Sequence, residues 1–265
     1  MYSVTSGKGE PLILLHGLFG SYENLAGIGR LLADSFAVTG FDLPHHGRSR
    51  SQDPVSLRNF ADTLADTLDQ RFPSQAVAVV GHSLGGKVAM ELALLFPTLV
   101  SKLVVLDIAP KAYQRRHETI FAAINAVTVA NEKAHLNSAK EAGIFGRKEA
   151  DLILKQTIAS LPVRSFLLKN WQRSKDGGGT YGWRCNMQGL QENYDDLVRE
   201  NASNRVDIPT YFLAGGNSDY VGKDDVALIR SRFPSAKVEW LADTEHWLHA
   251  EQPQEVARRV KAFLT

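Results

Sequence analysis

Short apolar runs, several of them rich in β-branched residues, recur along the chain and have the length of buried strands. They lie at residues 12–15, 36–41, 76–80, 103–106, 208–213 and 238–241. Helical patterns lie between several of these runs. Apolar residues share one face over 57–68 after Ser56, a favoured N-cap residue, and residues 84–96 follow a strand directly. Pro253 opens a last amphipathic helix. This alternation predicts an α/β protein with a doubly wound, mostly parallel sheet.

The alternation stops over residues 112–205. A stretch of roughly 90 residues is too long for an unstructured loop in a compact domain. Helical patterns occur within it at 120–129, 150–158 and 190–198. The glycine-rich segment 176–180 predicts a flexible turn. We therefore predict a single α/β domain over residues 1–265 with an inserted helical cap at about 112–205. Large apolar side chains are available to pack this cap or to line a pocket: Phe121, Ile124, Phe145, Phe166, Trp171 and Trp183.

The segment Gly81-His82-Ser83-Leu84-Gly85 joins an apolar strand to a helical pattern. In that context the sequence matches a nucleophile elbow, a sharp turn that lifts the serine hydroxyl above the sheet. Small residues at Gly81 and Gly85 suit the crowding of such a turn. We predict Ser83 as the nucleophile. The amide of Leu84, at the helix N-terminus, is predicted to donate to an oxyanion, and His82 is expected to support the site.

A second glycine-containing loop, His16-Gly17-Leu18-Phe19-Gly20, follows the first apolar run. A backbone amide in such a loop supplies the second donor to the oxyanion. We assign this donor to Leu18. Phe19 is then expected beside the reacting acyl group, and His16 is expected to hydrogen-bond within the loop rather than to act as a base.

A serine hydroxyl needs a base, and the base needs an acid that holds its tautomer. With this elbow the chain order is serine, acid, histidine. His246 follows the last apolar run and precedes the last helix, so we predict it as the base, with His249 as the alternative. Asp107 and Asp219 both follow strands at the carboxyl edge of the sheet. These positions alone leave the acid open between the two aspartates.

The bulk properties narrow the range of partners. The chain has 265 residues, of which 44% are hydrophobic and 22% charged, and its formal net charge is +1. This balance offers no basic stripe for nucleic acid. No apolar run is long enough to span a bilayer and residues 1–10 lack a signal pattern, so we expect a soluble, cytoplasmic protein without a membrane partner. The single cysteine, Cys185, is expected to be a structural thiol and cannot build an internal disulfide.

Five motifs resemble those of one family. They are His16-Gly17-Leu18-Phe19-Gly20-Ser21, Gly81-His82-Ser83-Leu84-Gly85-Gly86-Lys87, Leu106-Asp107-Ile108-Ala109-Pro110, Gly215-Gly216-Asn217-Ser218 and His246-Trp247-Leu248-His249-Ala250. Over nearly its whole length the chain resembles the YbfF-type esterases, a bacterial branch of the α/β-hydrolases with eukaryotic abhydrolase-domain relatives. The resemblance implies Asp107 as the acid and places Ser218 close enough to assist the histidine. Two departures are Asp219, an extra carboxylate beside Ser218, and Glu245, which replaces a small residue before His246.

The predicted reaction is a two-step acyl transfer. His246 deprotonates Ser83, an acyl-enzyme forms, and water releases the acid, so no cofactor or metal is required. The resemblance implies short-chain carboxylic esters as substrates and acyl-coenzyme A thioesters as natural ones, for which Arg115, Arg116 and Arg173 are candidate contacts. The alternatives are a C–C bond hydrolase or lyase on the same fold and a non-catalytic ligand-binding module. We expect a small-molecule partner and a monomer or small homo-oligomer.

Overall fold

A computed structural model describes residues 1–137, 145–173 and 180–265. Its strands are β1 (Ser3–Ser6), β2 (Glu10–Leu15), β3 (Phe36–Phe41), β4 (Val77–His82), β5 (Val100–Leu106), β6 (Trp171–Arg173), β7 (Tyr181–Trp183), β8 (Thr210–Gly215) and β9 (Lys237–Leu241). Its helices are α1 (Ala26–Leu32), α2 (Leu57–Arg71), α3 (Leu84–Leu95), α4 (Glu118–Asn137), α5 (Arg147–Leu154), α6 (Leu161–Leu168), α7 (Met187–Glu192), α8 (Tyr194–Val198), α9 (Asp225–Arg232), α10 (Leu248–Glu251) and α11 (Pro253–Leu264).

Seven strands form the central sheet of the described part, in the order β1-β3-β2-β4-β5-β8-β9. β1 is antiparallel to β3, and the other neighbours are parallel. Each predicted apolar run forms one of these strands, which confirms the doubly wound, mostly parallel α/β fold. β1 was not predicted, because this edge strand is short, largely polar and mostly exposed.

The central strands are buried on both faces. Successive side chains of a strand point to opposite sides of the sheet. Val79 and Val105 pack in one core with α2 and α3, whereas Val80 and Val104 pack in the other core with α1 and α11. Strands covered in this way read as continuous apolar runs rather than alternating ones. Because β4, β5, β8 and β9 are parallel neighbours, their carboxyl ends lie at the same edge of the sheet.

The helices around the sheet begin where the sequence predicts. The Ser56 hydroxyl accepts a hydrogen bond from the Asn59 amide at 3.0 Å, which confirms the predicted N-cap of α2. α3 starts directly after Ser83, and α11 starts at Pro253, as predicted. None of the described helices combines the length and the apolar character needed to cross a membrane.

The segment between β5 and β8 contains α4 to α8 and the hairpin of β6 and β7. The helical patterns predicted at 120–129 and 150–158 correspond to α4 and α5. The pattern at 190–198 is divided at Asn193, where α7 ends and α8 begins. The organisation as one domain with a cap at 112–205 stays a prediction.

The hairpin was not predicted, because each of its strands has only three residues. Trp171 and Trp183 are paired across it with their ring centroids 4.9 Å apart, so both side chains pack the inserted segment itself. The turn predicted at 176–180 lies, except for Thr180, outside the described residues.

Candidate active site

Ser83 lies on the turn between β4 and α3, and its backbone has a φ of 53°. This left-handed conformation is uncommon for a residue with a side chain and stores strain. The turn is tight: a Cβ atom added to Gly81 would lie 2.3 Å from the carbonyl oxygen of Gly85. Only glycine fits at Gly81. The strained geometry expected for the elbow is therefore present, with the Ser83 hydroxyl at the carboxyl edge of the sheet.

His246 joins Ser83 to a carboxylate. Its Nε2 lies 3.0 Å from the Ser83 hydroxyl oxygen, and its Nδ1 lies 2.7 Å from Oδ2 of Asp107. A carboxylate accepts hydrogen bonds only, so Nδ1 carries the proton and Nε2 is left to accept from Ser83. This is the tautomer that a general base requires. Residues far apart in the chain thus form one continuous hydrogen-bonded row.

The Asp107 carboxylate is completely buried and fully hydrogen-bonded. Its Oδ1 accepts the amide of Gly215 at 2.8 Å, and its Oδ2 accepts both the Ser218 hydroxyl and His246. A buried carboxylate without such donors would be costly, and these bonds also fix its direction. Ser218 therefore lies beside the histidine, as the resemblance implied.

Asp219 points away from this row. Its side chain is 74% exposed and forms an ion pair with Arg116. The Arg116 guanidinium holds the pKa of Asp219 below its ordinary value. Of the two candidate acids, the structure brings Asp107 and not Asp219 into hydrogen-bonding contact with His246.

The two predicted oxyanion donors, Leu18 and Leu84, line the same cavity as Ser83. Gly17 to Gly20 form a turn closed by the bond from the Gly20 amide to the Gly17 carbonyl at 3.0 Å, and Leu84 is the first residue of α3. Within the described ranges, no hydrogen bond is recorded from the amide of Leu18 or of Leu84. First-turn amides of a helix have no partner inside the helix.

Three further histidines near the row, His16, His82 and His249, are buried. Burial holds the pKa of His82 well below its ordinary value and lowers that of His249 to about 3. His82 donates from Nε2 to the His246 carbonyl at 2.8 Å, so it supports the loop that carries the base. No bond between His249 and Ser83 is recorded among the described residues. His16 contacts the Gly17 carbonyl through Nδ1, which confirms its expected place in the loop.

Two contributors to the site were not predicted. The Tyr220 ring is stacked on the His246 ring, with centroids 3.7 Å apart and an interplanar angle of 13°. Asn170, between α6 and β6, donates its side-chain amide to the carbonyl of Phe19. Phe19 has a φ of 60°. Tyr220 lies two residues after Ser218, and this proximity could have indicated that it belongs to the site. No local pattern in the sequence indicates Asn170.

Two cavities meet at Ser83. The larger is a cleft of about 500 Å³ between the core and α6, and the smaller is a cavity of about 30 Å³ between the core and α8. Phe19 lines the larger cleft, and Leu18 lines both. Of the predicted cap residues, Phe166 lines the cleft, whereas Phe121 is packed against Phe19 at 5.2 Å between ring centroids.

The arginines considered for a polyanionic ligand differ in their surroundings. Arg115 is paired with Glu118 and Asp195, and Arg116 is paired with Asp219. These carboxylates neutralise much of the charge that a basic patch would need. Arg173 lies exposed on β6.

The Cys185 thiol is buried and lies two residues before the start of α7. Burial raises its pKa to about 12. Such a thiol stays protonated near neutral pH and is a poor nucleophile. The buried position is the one expected of a structural cysteine.

A mostly parallel sheet with a serine on a strained turn after its β4 strand is the defining architecture of one hydrolase class. Residues 10–253 match the family described as the alpha/beta hydrolase fold. The chain therefore belongs to the α/β-hydrolase family.

Among characterised proteins the chain is similar to Esterase YbfF of Escherichia coli (strain K12), with 35% identity over 96% of this chain and 93% of that esterase. It is also 32% identical to the sn-1-specific diacylglycerol lipase ABHD11 of Danio rerio, over 99% of this chain and 81% of the lipase. A solved structure named Marine microorganism esterase has a TM-score of 0.87 and 34% identity, over 99% of this chain and 98% of that one. The predicted resemblance to YbfF-type esterases is confirmed.

Proposed function

We propose that this protein is a serine hydrolase that cleaves short-chain carboxylic esters. The observation that carries the proposal is the hydrogen-bonded row from Ser83 through His246 to Asp107, with bonds of 3.0 and 2.7 Å. A row in this order, with the serine on a strained elbow, is the arrangement that activates a serine hydroxyl for acyl transfer.

In the first step, Nε2 of His246 takes the proton of Ser83 while the hydroxyl oxygen attacks the ester carbonyl. The amides of Leu18 and Leu84 donate to the oxygen on which negative charge develops. Asp107 stabilises the imidazolium that forms. His246 then gives the proton to the leaving alcohol, and the acyl group remains on Ser83. In the second step a water molecule, deprotonated by the same histidine, releases the acid.

The names of the relatives support this reaction class. Two similar proteins are called an esterase and a diacylglycerol lipase, and a similar solved structure is called an esterase. The short acyl chain is the expectation taken from the resemblance to YbfF-type esterases. An acyl-coenzyme A thioester would use the same steps, but the ion pairs of Arg115 and Arg116 leave little free positive charge for its phosphates.

The test is hydrolysis of p-nitrophenyl esters from acetate to decanoate, together with acetyl- and butyryl-coenzyme A. The wild type is compared with Ser83→Ala and with Ser203→Ala, a matched change at an exposed serine. We expect Ser83→Ala to lose at least about a thousandfold in kcat/KM, because loss of a triad serine costs up to about a millionfold, and Ser203→Ala to match the wild type. A folded wild type that hydrolyses none of these esters overturns the proposal and favours a C–C bond hydrolase, a lyase or a ligand-binding module.

A further inference from the structure

The two cavities that meet at Ser83 differ greatly in size and in their relation to the base. His246 is part of the wall of the 500 Å³ cleft and, among the described residues, is not part of the wall of the 30 Å³ cavity. Ser83 belongs to both walls. An ester bound with its carbonyl carbon at Ser83 therefore has room for one half in each cavity.

The position of the base decides which half goes where. When the ester bond breaks, the proton on Nε2 of His246 must reach the leaving oxygen, so this oxygen lies on the side of the histidine. We propose that the leaving group occupies the large cleft and that the acyl group occupies the small cavity. This inference rests on the proposed ester hydrolysis. It assigns as substrates the esters of short, apolar acids with bulky, apolar alcohols.

The small cavity limits the acyl group. A volume of about 30 Å³ has room for about two to three water-sized groups, so the cavity admits only a short acyl chain. Its far wall includes Leu197 and Val198 of α8, and Leu197 is 1% exposed. This wall is held in place from the core, since the Tyr113 amide donates to the Val198 carbonyl at 2.9 Å.

The polar side chains that line the small cavity have partners within the protein: Arg116 is paired with Asp219, and Nδ1 of His117 is bonded to the Tyr194 hydroxyl. The Tyr113 hydroxyl donates to the Tyr220 carbonyl at 2.7 Å and accepts the Ala109 amide at 2.8 Å. The Lys87 ammonium donates to the carbonyl of Lys111 at 2.8 Å. A hydroxyl or carboxyl group on the acyl chain would lose its water here and find few free partners. On the proposed assignment the cavity favours unsubstituted chains.

The large cleft suits a bulky apolar alcohol. Val163, Phe166 and Leu167 of α6 line one side, and Phe166 faces Trp247 with ring centroids 5.4 Å apart. The charged residues in its wall, Lys169, Glu245 and Glu251, have mixed signs. Mixed charges give no net attraction to a polyanion such as coenzyme A, so a neutral alcohol fits best.

Two ester series test the assignment. The first varies the acyl group from acetate to octanoate with p-nitrophenol as the constant leaving group. The second keeps acetate and varies the alcohol among ethanol, hexanol and cyclohexylmethanol, which are primary alcohols of similar acidity. We expect kcat/KM to fall at least about tenfold from butyrate to octanoate and to rise at least about tenfold from ethyl to hexyl acetate, because one methylene in a fitted pocket changes kcat/KM about 10- to 200-fold.

Substitutions on each wall sharpen the test. Leu197→Ala enlarges the small cavity and is expected to raise the octanoate-to-acetate ratio of kcat/KM at least about tenfold, with no change in the hexyl-to-ethyl ratio. Val198→Ala is the second variant should Leu197→Ala fail to fold. Phe166→Ala is the matched change on the other wall, and it is expected to lower the hexyl-to-ethyl ratio alone.

The outcomes separate the inference from the function on which it rests. Ester hydrolysis that depends on Ser83 but increases towards octanoate, with the acyl-chain ratio reduced by Phe166→Ala, places the acyl group in the large cleft and overturns the inference. Hydrolysis that is equal in the wild type and in Ser83→Ala contradicts the proposed function instead.

Discussion

The carboxylate of Asp107 accepts hydrogen bonds from three groups and has no contact with solvent. An amide has nearly the same size but cannot accept all of these hydrogen bonds, so the substitution disturbs the site. In Asp107→Asn, the side chain no longer favours the tautomer of His246 with its proton on Nδ1. If the row works as proposed, we expect kcat/KM for p-nitrophenyl acetate to fall about 10⁴-fold, the cost of the same change in a Ser-His-Asp triad.

Asp219→Asn is the matched control, because it removes a carboxylate of the same size at the residue next to Ser218 but outside the row. Its ion pair with Arg116 is exposed, and exposed pairs contribute little. We expect kcat/KM to stay within about threefold of the wild type. A large loss in Asp219→Asn with a small loss in Asp107→Asn would show that the acid is Asp219 and that the row is rearranged during the reaction.

Asn170 offers a second prediction at the level of single residues. Its side chain donates to the carbonyl of Phe19, whose positive φ is strained, and the same turn contains Leu18, whose amide is the proposed oxyanion donor. Without this bond the turn can relax and the Leu18 amide loses its direction. We expect Asn170→Ala to lower kcat about tenfold with little change in KM, less than the 10²- to 10³-fold cost of removing an oxyanion donor.

The measurement for Asn170→Ala is kcat and KM on one ester together with the affinity for a trifluoromethyl ketone, which mimics the oxyanion. A weakened affinity for the ketone in parallel with kcat identifies a positioning role. The control is Asn125→Ala, whose side chain bonds Gln191 on the exposed side of α4. If kcat and ketone affinity equal those of the wild type, Asn170 does not position the loop.

The same residues show what a sequence can and cannot specify. Ser83 and His246 could be predicted because the elbow and the loop after the last strand carry local signals. The acid could not be chosen from spacing, since Asp107 and Asp219 both follow strands and only burial separates them. Asn170 depends on a contact across 151 residues, which no local pattern records.

At the scale of elements, the N-cap of α2 is a feature that was predicted from sequence and is present in the structure. The Ser56 hydroxyl satisfies the Asn59 amide, which has no partner inside the helix. Ser56→Ala is expected to lower the free energy of unfolding by about 1 kcal/mol. Urea unfolding measures this as a lower midpoint at an unchanged slope, with kcat unaffected because α2 carries no residue of the site.

Ser203→Ala is again the matched change, since this exposed serine caps no described helix. An unchanged midpoint in Ser56→Ala, or a changed slope in both variants, would contradict the assignment of the cap energy to this one bond. Elements without such signals were missed. β1 is polar, and the hairpin of β6 and β7 gives three residues per strand, too few for a period to be recognised.

At the scale of the whole molecule, several histidines are buried without charge. Burial lowers the pKa of His16 to about 4 and those of His46 and His249 to about 3, and it lowers that of His82 as well. In the unfolded chain these groups return to about 6.5. Between pH 6.5 and about 4 the unfolded state therefore binds more protons than the folded state, so the free energy of unfolding increases with pH across this window.

We expect the protein to keep its stability above pH 7 and to lose it steeply as the pH falls from 6.5 towards 4. Each such histidine contributes a slope of about 1.4 kcal/mol per pH unit. Urea unfolding at half-unit intervals from pH 8 to pH 4.5 measures this slope.

His249→Leu removes one of the buried histidines. Since Nδ1 of His249 has no partner among the described residues, little hydrogen bonding is lost with it. The slope should fall by about 1.4 kcal/mol per pH unit, the contribution of one proton, in His249→Leu. It should stay unchanged in His135→Gln, which replaces an exposed histidine. A stability that is flat from pH 8 to pH 5 would mean that the buried histidines accept protons without unfolding, and the acid sensitivity of the fold would then have to arise from its carboxylates.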